Sequence, residues 1–256
     1  MLLVLDVGNT NVKVGLYEGE TFIKSWRIST LASRTADEFG MVLFDLFSTR
    51  DTAFEDIDGI IVSSVAPSLN YTIEHACTYY MNRKPIFVDS DSKTGMTFLY
   101  TNPSELGADR IVSAVAAYTL YKGPCIVVDF GSATTFNAIT IDGKFLGGAI
   151  APGIKNATES LVNTAARLPR IELVAPKSVL GKTTIENMQV GIAYGFTGLV
   201  SYIINKIKEE DGMANAKVIA TGGLSELVME TDASIIDIVD RALALKGLKL
   251  MYDLNK

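Results

Sequence analysis

Apolar and polar positions fall into the same order twice along this chain. Residues 2–5 are an uninterrupted apolar run closed by Asp6, followed by Val7-Gly8-Asn9-Thr10-Asn11 and a second run, Val12-Lys13-Val14-Gly15-Leu16. Residues 125–128 repeat the pattern: Asp129 closes the run, Phe130-Gly131-Ser132-Ala133-Thr134 follows, and Thr135-Phe136-Asn137-Ala138-Ile139 comes next. A third strand-like run succeeds each pair, over 22–26 and 145–150. Short apolar runs punctuated by Gly, Asn and Ser read as strands joined by tight turns. Each half of the chain therefore opens with three consecutive strands.

Helical spacing takes over downstream. Phe39, Val42, Leu43 and Leu46 recur as one face of a helix over 36–47. A strand over 59–63, a helix over 67–80 with Pro67 near its start, and a short strand over 85–88 follow. The stretch 89–105 is polar and irregular, a helix begins near Ala108, and Tyr121-Lys122-Gly123-Pro124 marks a turn and a boundary. The second half continues through Pro152-Gly153 into a helix over 154–166, a loop over 169–182 and a long helix over 185–210. A strand over 217–220 then ends in Thr221-Gly222-Gly223, and a last helix starts near Ile238. Three strands followed by alternating helices and strands, twice over, predict an α/β protein with two duplicated ribonuclease-H-like domains, 1–122 and 123–256. Each would be a mixed sheet flanked by helices, and the two would face each other across a cleft.

Composition narrows the function classes. The 256 residues are 48% hydrophobic without low-complexity stretches, which suits one large or two ordinary globular domains. The apolar run near 111–121 is too short to span a bilayer, and the amino end lacks the pattern of a secretory signal. A net charge of −6 without Lys/Arg runs argues against nucleic acid as a partner. Cys77 and Cys125 are the only thiols, which supports a cytoplasmic location and a role as small buried hydrophobes. With His75 as the sole histidine, neither a zinc site nor a Ser-His-Asp arrangement can be assembled. Acid–base chemistry falls to carboxylates, Lys or Tyr.

The repeated turn has a chemical reading. A tight Gly-containing turn aims backbone N–H groups into one space and can cradle an anion. Asp6 and Asp129 would repel a phosphate unless a cation sits between them, which is the arrangement carboxylates make with Mg²⁺. Taken singly, such a turn also serves an ordinary hairpin; the repetition favours phosphate. Competing nucleotide motifs fail, since Gly181-Lys182-Thr183 has Pro176 where a P-loop requires Gly, and no G-x-G-x-x-G follows a strand. Thr221-Gly222-Gly223 reads either as a plain turn or as backbone that admits adenine and ribose. In Gly107-Ala108-Asp109-Arg110, Asp109 at a helix start is either a cap or a general base beside an anion-binding guanidinium.

Assembled in this order, the motifs resemble those of the type III pantothenate kinases, in the acetate-and-sugar-kinase/Hsp70/actin superfamily of actin-like ATPases. Asp6-Val7-Gly8-Asn9-Thr10-Asn11-Val12-Lys13 matches the first phosphate motif, Gly107-Ala108-Asp109-Arg110 the substrate motif, and Asp129-Phe130-Gly131-Ser132-Ala133-Thr134-Thr135 the second phosphate motif. Residues 147–153 and Thr221-Gly222-Gly223 match further elements. The resemblance implies ATP-dependent phosphorylation of pantothenate, the first step towards coenzyme A. It implies Asp109 as base, with Gly107, Ala108, Arg110 and Tyr100 at the substrate and Thr184 contributed across a homodimer interface. It places Asp6 at the Mg²⁺–phosphate cluster, Val7, Gly8, Asn9, Thr10, Asn11, Val12 and Lys13 along ATP, and Ser132, Gly222 and Gly223 at nucleotide contacts. Asp129 would hold a monovalent cation, K⁺ or ammonium. Two positions depart from the family pattern, Ser132 for Thr and Asn137 for Asp. A sugar or acid kinase of the same superfamily, a transcription-accessory relative and an actin-type module are the alternatives.

Overall fold

Alternation in each sheet decides which residues meet helices and which are left for chemistry. The computed structural model describes residues 1–50 and 52–256. Met1–Gly95, Thr101–Ala116 and Leu243–Lys256 form one compact unit, and Met96–Tyr100 with Ala117–Ala242 form the other.

In the first unit, β1 (Leu2–Val7), β2 (Asn11–Glu18) and β3 (Thr21–Ser29) make an antiparallel meander. β4 (Gly59–Ser64) and β5 (Ile86–Phe87) extend it in parallel, giving the order β3-β2-β1-β4-β5. Parallel neighbours need crossovers, supplied by α1 (Ala36–Ser48) and α2 (Asn70–Met81). α1 starts where it does because Thr35 and Glu38 form a reciprocal capping box. Side chains alternate faces along a strand, so Leu3, Leu5, Val7, Val12, Val14, Ile60 and Val62 join Phe39, Leu43, Phe47, Ile73 and Cys77 in one core. Val4, Asp6, Lys13, Gly15, Ile61 and Ser63 line the opposite face.

α3 (Ala108–Tyr121) opens in this unit. In the second unit, β6 (Thr97–Phe98) pairs with the meander β7 (Cys125–Phe130), β8 (Ala133–Ile139) and β9 (Lys144–Pro152). α4 (Ile154–Thr164) and the 25-residue α5 (Thr184–Lys208) follow, then β10 (Lys217–Gly222), α6 (Ser225–Thr231) and β11 (Ile238–Val239). The sheet order is β11-β10-β7-β8-β9-β6, with β10 parallel to β7. One face packs Ile126, Val128, Phe136, Val218 and Ala220 against Ile192, Val200, Ile204 and Leu227. Val127, Asp129, Thr135, Asn137, Ile219 and Thr221 share the other.

The chain closes with α7 (Leu243–Asn255), which packs on β1, β2 and β4 of the first unit. Gly247 lets the same helix lie close against α3: a Cβ there would stand 2.0 Å from the Val112 carbonyl. The mixed α/β class with two helix-flanked sheets is the one expected from the pattern. Two local expectations change. Ile238–Val239 is a strand on β10 rather than the start of the last helix, because these β-branched residues complete a parallel ladder. Thr97–Phe98, inside the stretch expected to be irregular, pairs with Lys144–Phe145. α5 is long and apolar enough to cross a membrane by length and composition, a longer apolar segment than the run near 111–121. Ile192, Ala193, Val200 and Ile204 of its buried stripe belong to the second core.

Candidate active site

The first turn is held by its own backbone and by the strand two positions along the sheet. Gly8 N–H donates to the Asn11 carbonyl at 3.0 Å, and Thr30 N–H donates to the Thr10 carbonyl at 3.0 Å. Thr30 Oγ1 also donates to the Gly8 carbonyl at 2.7 Å. Val7 and Val12 are buried at the ends of the strands, while Asn9 and Thr10 stay exposed at the tip with Gly8 and Asn11 half-buried. Asp6 and Lys13 are register partners, and Lys13 Nζ lies 3.0 Å from Asp6 Oδ2. Asp6 is only 7% exposed, so this lysine supplies the positive charge that a buried carboxylate needs.

Asp109 sits in the first turn of α3, where its Oδ1 accepts the N–H of Arg110 at 2.8 Å. Gly107 makes room for it, since a Cβ at that position would be 2.5 Å from Asp109 Oδ1. Ala108 and Arg110 are buried beside it, anchoring the turn. Burial raises the Asp109 pKa from its ordinary value, and the Asp6 charge adds to the rise. The Arg110 N–H, the Arg110 guanidinium and Lys13 oppose it. The first unit thus gathers Asp6, Lys13 and Asp109 into one electrostatically linked group, with two carboxylates and one ammonium. Such an arrangement can hold a cation-bearing phosphate and receive a proton.

The second unit repeats the hairpin with different surroundings. Gly131 N–H donates to the Ala133 carbonyl at 3.1 Å. Asn156 Nδ2 on α4 donates to the Ser132 carbonyl at 2.8 Å, and Thr134 Oγ1 donates to the Pro152 carbonyl at 3.2 Å. Gly153 lets α4 begin against this turn, as its Cβ would meet the Ser132 carbonyl at 2.3 Å. The positive end of the α4 dipole therefore lies at the turn that carries Ser132. Opposite Asp129 the ladder presents Thr135, where the first hairpin has Lys13 opposite Asp6. Gly222 takes φ +92°, and a Cβ there would stand 2.5 Å from the Phe130 carbonyl and 2.7 Å from Asp129 Oδ1. Gly223 follows it, exposed.

Two expected substrate residues also belong to the second unit. Tyr100 is half-buried with its ring edge-on to Phe145, centroids 6.2 Å apart. Thr184 is the exposed first residue of α5, set by a capping box between Thr183 and Glu186. It borders a groove of about 500 Å³ lined by Leu161, Leu168, Asn187, Met188, Gly191 and Ile192. Thr30 and Asn156 escaped the sequence reading, for neither lies in a turn motif and each acts on a carbonyl 22 or 24 residues away. Among the described residues, no three His, Cys, Asp or Glu side chains gather into a metal site. A hard cation here would need oxygen atoms from a ligand as well. Burial pushes both thiols up to about 12, so Cys77 and Cys125 act as apolar core atoms.

Comparison with known proteins places this geometry in context. The family profile of type III pantothenate kinase matches residues 2–206. Among solved structures, a protein described as a Baf family transcriptional activator from Campylobacter jejuni superposes with a TM-score of 0.60 at 22% identity, covering 98% of this chain and 97% of that one. A protein described as a 2-dehydro-3-deoxygalactonokinase from Sinorhizobium meliloti gives a TM-score of 0.64 at 11% identity, covering 98% and 96%. The inorganic polyphosphate/ATP-glucomannokinase from Arthrobacter sp. strain KM gives 0.53 at 14%, covering 99% and 98%. At these identities the structures speak for the fold, that of the sugar kinases and actin-like ATPases.

Proposed function

The chain belongs to the type III pantothenate kinase family, and from that membership we propose that it transfers the γ-phosphoryl group of ATP to the primary hydroxyl of pantothenate with Asp109 as general base. The family activity, phosphorylation of pantothenate on the way to coenzyme A with MgATP as donor, is the coarse premise. The observation that carries the residue-level reading is the linked trio of Asp6, Lys13 and Asp109 on one unit.

Asp109 accepts the proton of the pantothenate hydroxyl as its oxygen bonds to the γ-phosphorus and the bond to the ADP oxygen breaks. The space beside Gly107 and the N–H of Arg110 aim the carboxylate; burial makes it a better proton acceptor than an exposed aspartate. Arg110 and Tyr100 orient the substrate. Lys13 and the turn at Asn9-Thr10 hold the phosphates, and Ser132, Gly222 and Gly223 hold the nucleotide. Mg²⁺, when bound through the phosphates, neutralises charge on the transferring group. Asp6 is the residue to hold it, as a strand-end carboxylate beside the phosphate turn. Asp129, with a hydroxyl rather than an ammonium opposite it in the ladder, is the residue for K⁺ or ammonium.

A homodimer in the cytoplasm completes the reading. Gly191, Gly195 and Gly198 on α5 have open space where side chains would stand, and Ile185, Tyr194 and Tyr202 on that helix are exposed. A small-residue stripe among exposed apolar side chains supports close approach of a second α5, which would bring Thr184 to the partner's substrate. The test is phosphate transfer from ATP to pantothenate with Mg²⁺, with and without K⁺ or ammonium. Turnover that requires the monovalent cation is the expected result; a folded protein that transfers nothing under any cation condition defeats the proposal.

A further inference from the structure

The two units share a detail that neither hairpin motif contains. Among the described residues, three buried side-chain polar atoms have no hydrogen-bond partner: Ser63 Oγ, Thr197 Oγ1 and Thr221 Oγ1. Thr197 lies mid-helix on α5 with no strand-end aspartate beside it. The other two occupy the same place in the duplicated fold. Ser63 on β4 is the parallel register partner of Asp6, and Thr221 on β10 is the parallel register partner of Asp129. Register partners on adjacent strands lie about 4.8 Å apart and point to one face. Each aspartate that closes a strand therefore has a fully buried hydroxyl beside it, Ser63 at 0% and Thr221 at 1% exposure.

A buried hydroxyl left without a partner costs stability, so its presence beside both aspartates asks for a reason. A carboxylate only accepts hydrogen bonds, whereas a hydroxyl donates one and offers two lone pairs. Placed next to an aspartate, it can donate to the carboxylate and turn its lone pairs on a cation or on water bound to that cation. Both units offer such a group a hard anionic oxygen, a neutral oxygen on the same face and a Gly turn alongside; on the first, Lys13 Nζ also stands 3.0 Å from Asp6 Oδ2, so a cation there would share the carboxylate with the ammonium. Next to Thr221, Gly222 has no side chain between its backbone and Asp129: a Cβ there would stand 2.7 Å from Asp129 Oδ1.

We propose that Ser63 and Thr221 are equivalent positioning residues, each hydroxyl reserved for the cation or cation-bound water that accompanies ligand phosphate at its neighbouring aspartate. This inference rests on the kinase reading above, which assigns phosphates and cations to Asp6 and Asp129. It extends that reading to two residues outside the hairpins and predicts that they act in parallel.

The experiment compares the full-length wild type with Thr221→Val, Thr221→Ser and Ser63→Ala by thermal melting, alone and with MgADP in KCl, alongside phosphate transfer. Removing an unpartnered hydroxyl while keeping the shape should raise the melting temperature of unliganded Thr221→Val. The same variant should need about tenfold more MgADP for half of its stabilisation, having lost a bond to a charged group. Ser63→Ala should show the same weakened response, and Thr221→Ser should respond as the wild type. A lower melting temperature for unliganded Thr221→Val, or a wild-type MgADP response in it, overturns the inference. A wild type that neither binds MgADP nor transfers phosphate fails the kinase reading and takes this inference with it, so the two failures are told apart.

Discussion

Gly107→Ala isolates the placement of the proposed base from its chemistry. The added methyl would start 2.5 Å from Asp109 Oδ1 and 3.4 Å from Val65 Cγ1. Ordinary carbon–oxygen contact requires roughly 1 Å more than the first distance, and the Val65 side leaves no slack. The carboxylate must retreat, and retreat stretches the 2.8 Å bond it accepts from the Arg110 N–H. A hydrogen bond to a charged group contributes about 1.5–3 kcal/mol, and a reacting group misplaced by about 1 Å loses on the order of a hundredfold in rate. Both arguments put the fall in kcat between about tenfold and a few hundredfold. Stability should move little, since Ala also reduces the entropy of the unfolded chain by an equivalent of about 0.4–1 kcal/mol. Steady-state kinetics for both substrates, with circular-dichroism melting as the control, provide the assay. A folded Gly107→Ala protein with kcat within about threefold of wild type would refute the claim that this glycine positions the base.

Three further outcomes follow from the same residues. Asp109→Asn should abolish turnover, keep ATP binding and raise stability at neutral pH. The sign is fixed by linkage: a carboxyl whose folded pKa is raised favours its protonated form, so its penalty is full above the folded pKa and vanishes below the ordinary one. Denaturant melts of wild type and variant should therefore converge as pH falls through that window; a constant gap would contradict it. Lys13→Met removes a charge that lowers the Asp109 pKa and one that offsets Asp6, so the acid limb of the pH–rate profile should move to higher pH. Finally, Asp109→Asn and Thr184→Ala proteins, each inactive or weak alone, should regain activity when mixed and allowed to exchange subunits. Light scattering that shows only monomers, or no recovery on mixing, would defeat the shared-site dimer.

Legibility along the chain follows the range of the interactions. The hairpins could be read because their information is local: period-two burial, an Asp at the strand end and a Gly turn settle within about a dozen residues. The capping boxes at Thr35 and Thr183, found in the structure, are equally local, each spanning four positions. Ile238–Val239 misled because two β-branched residues before a helix match either element, and only the partner strand β10 chooses. Thr30 and Asn156 were invisible because a single hydroxyl or amide gives no period, and their acceptors lie in turns 22 and 24 residues away.

The sequence by itself determined the repeated three-strand openings, the two Asp-and-Gly turns, the helix start that carries Asp109 and the family to which they belong. Tertiary structure alone decided that α7, last in the chain, packs on the first sheet and lies close against α3 at Gly247 and Val112. It also decided that Asp6, Lys13 and Asp109 share one electrostatic environment, and that Ser63 and Thr221 stand beside the two aspartates. The reason is physical. Periodicity encodes which face of an element is buried, whereas the partner that buries it, and every pKa and unpaired hydroxyl that results, is a property of the packed whole.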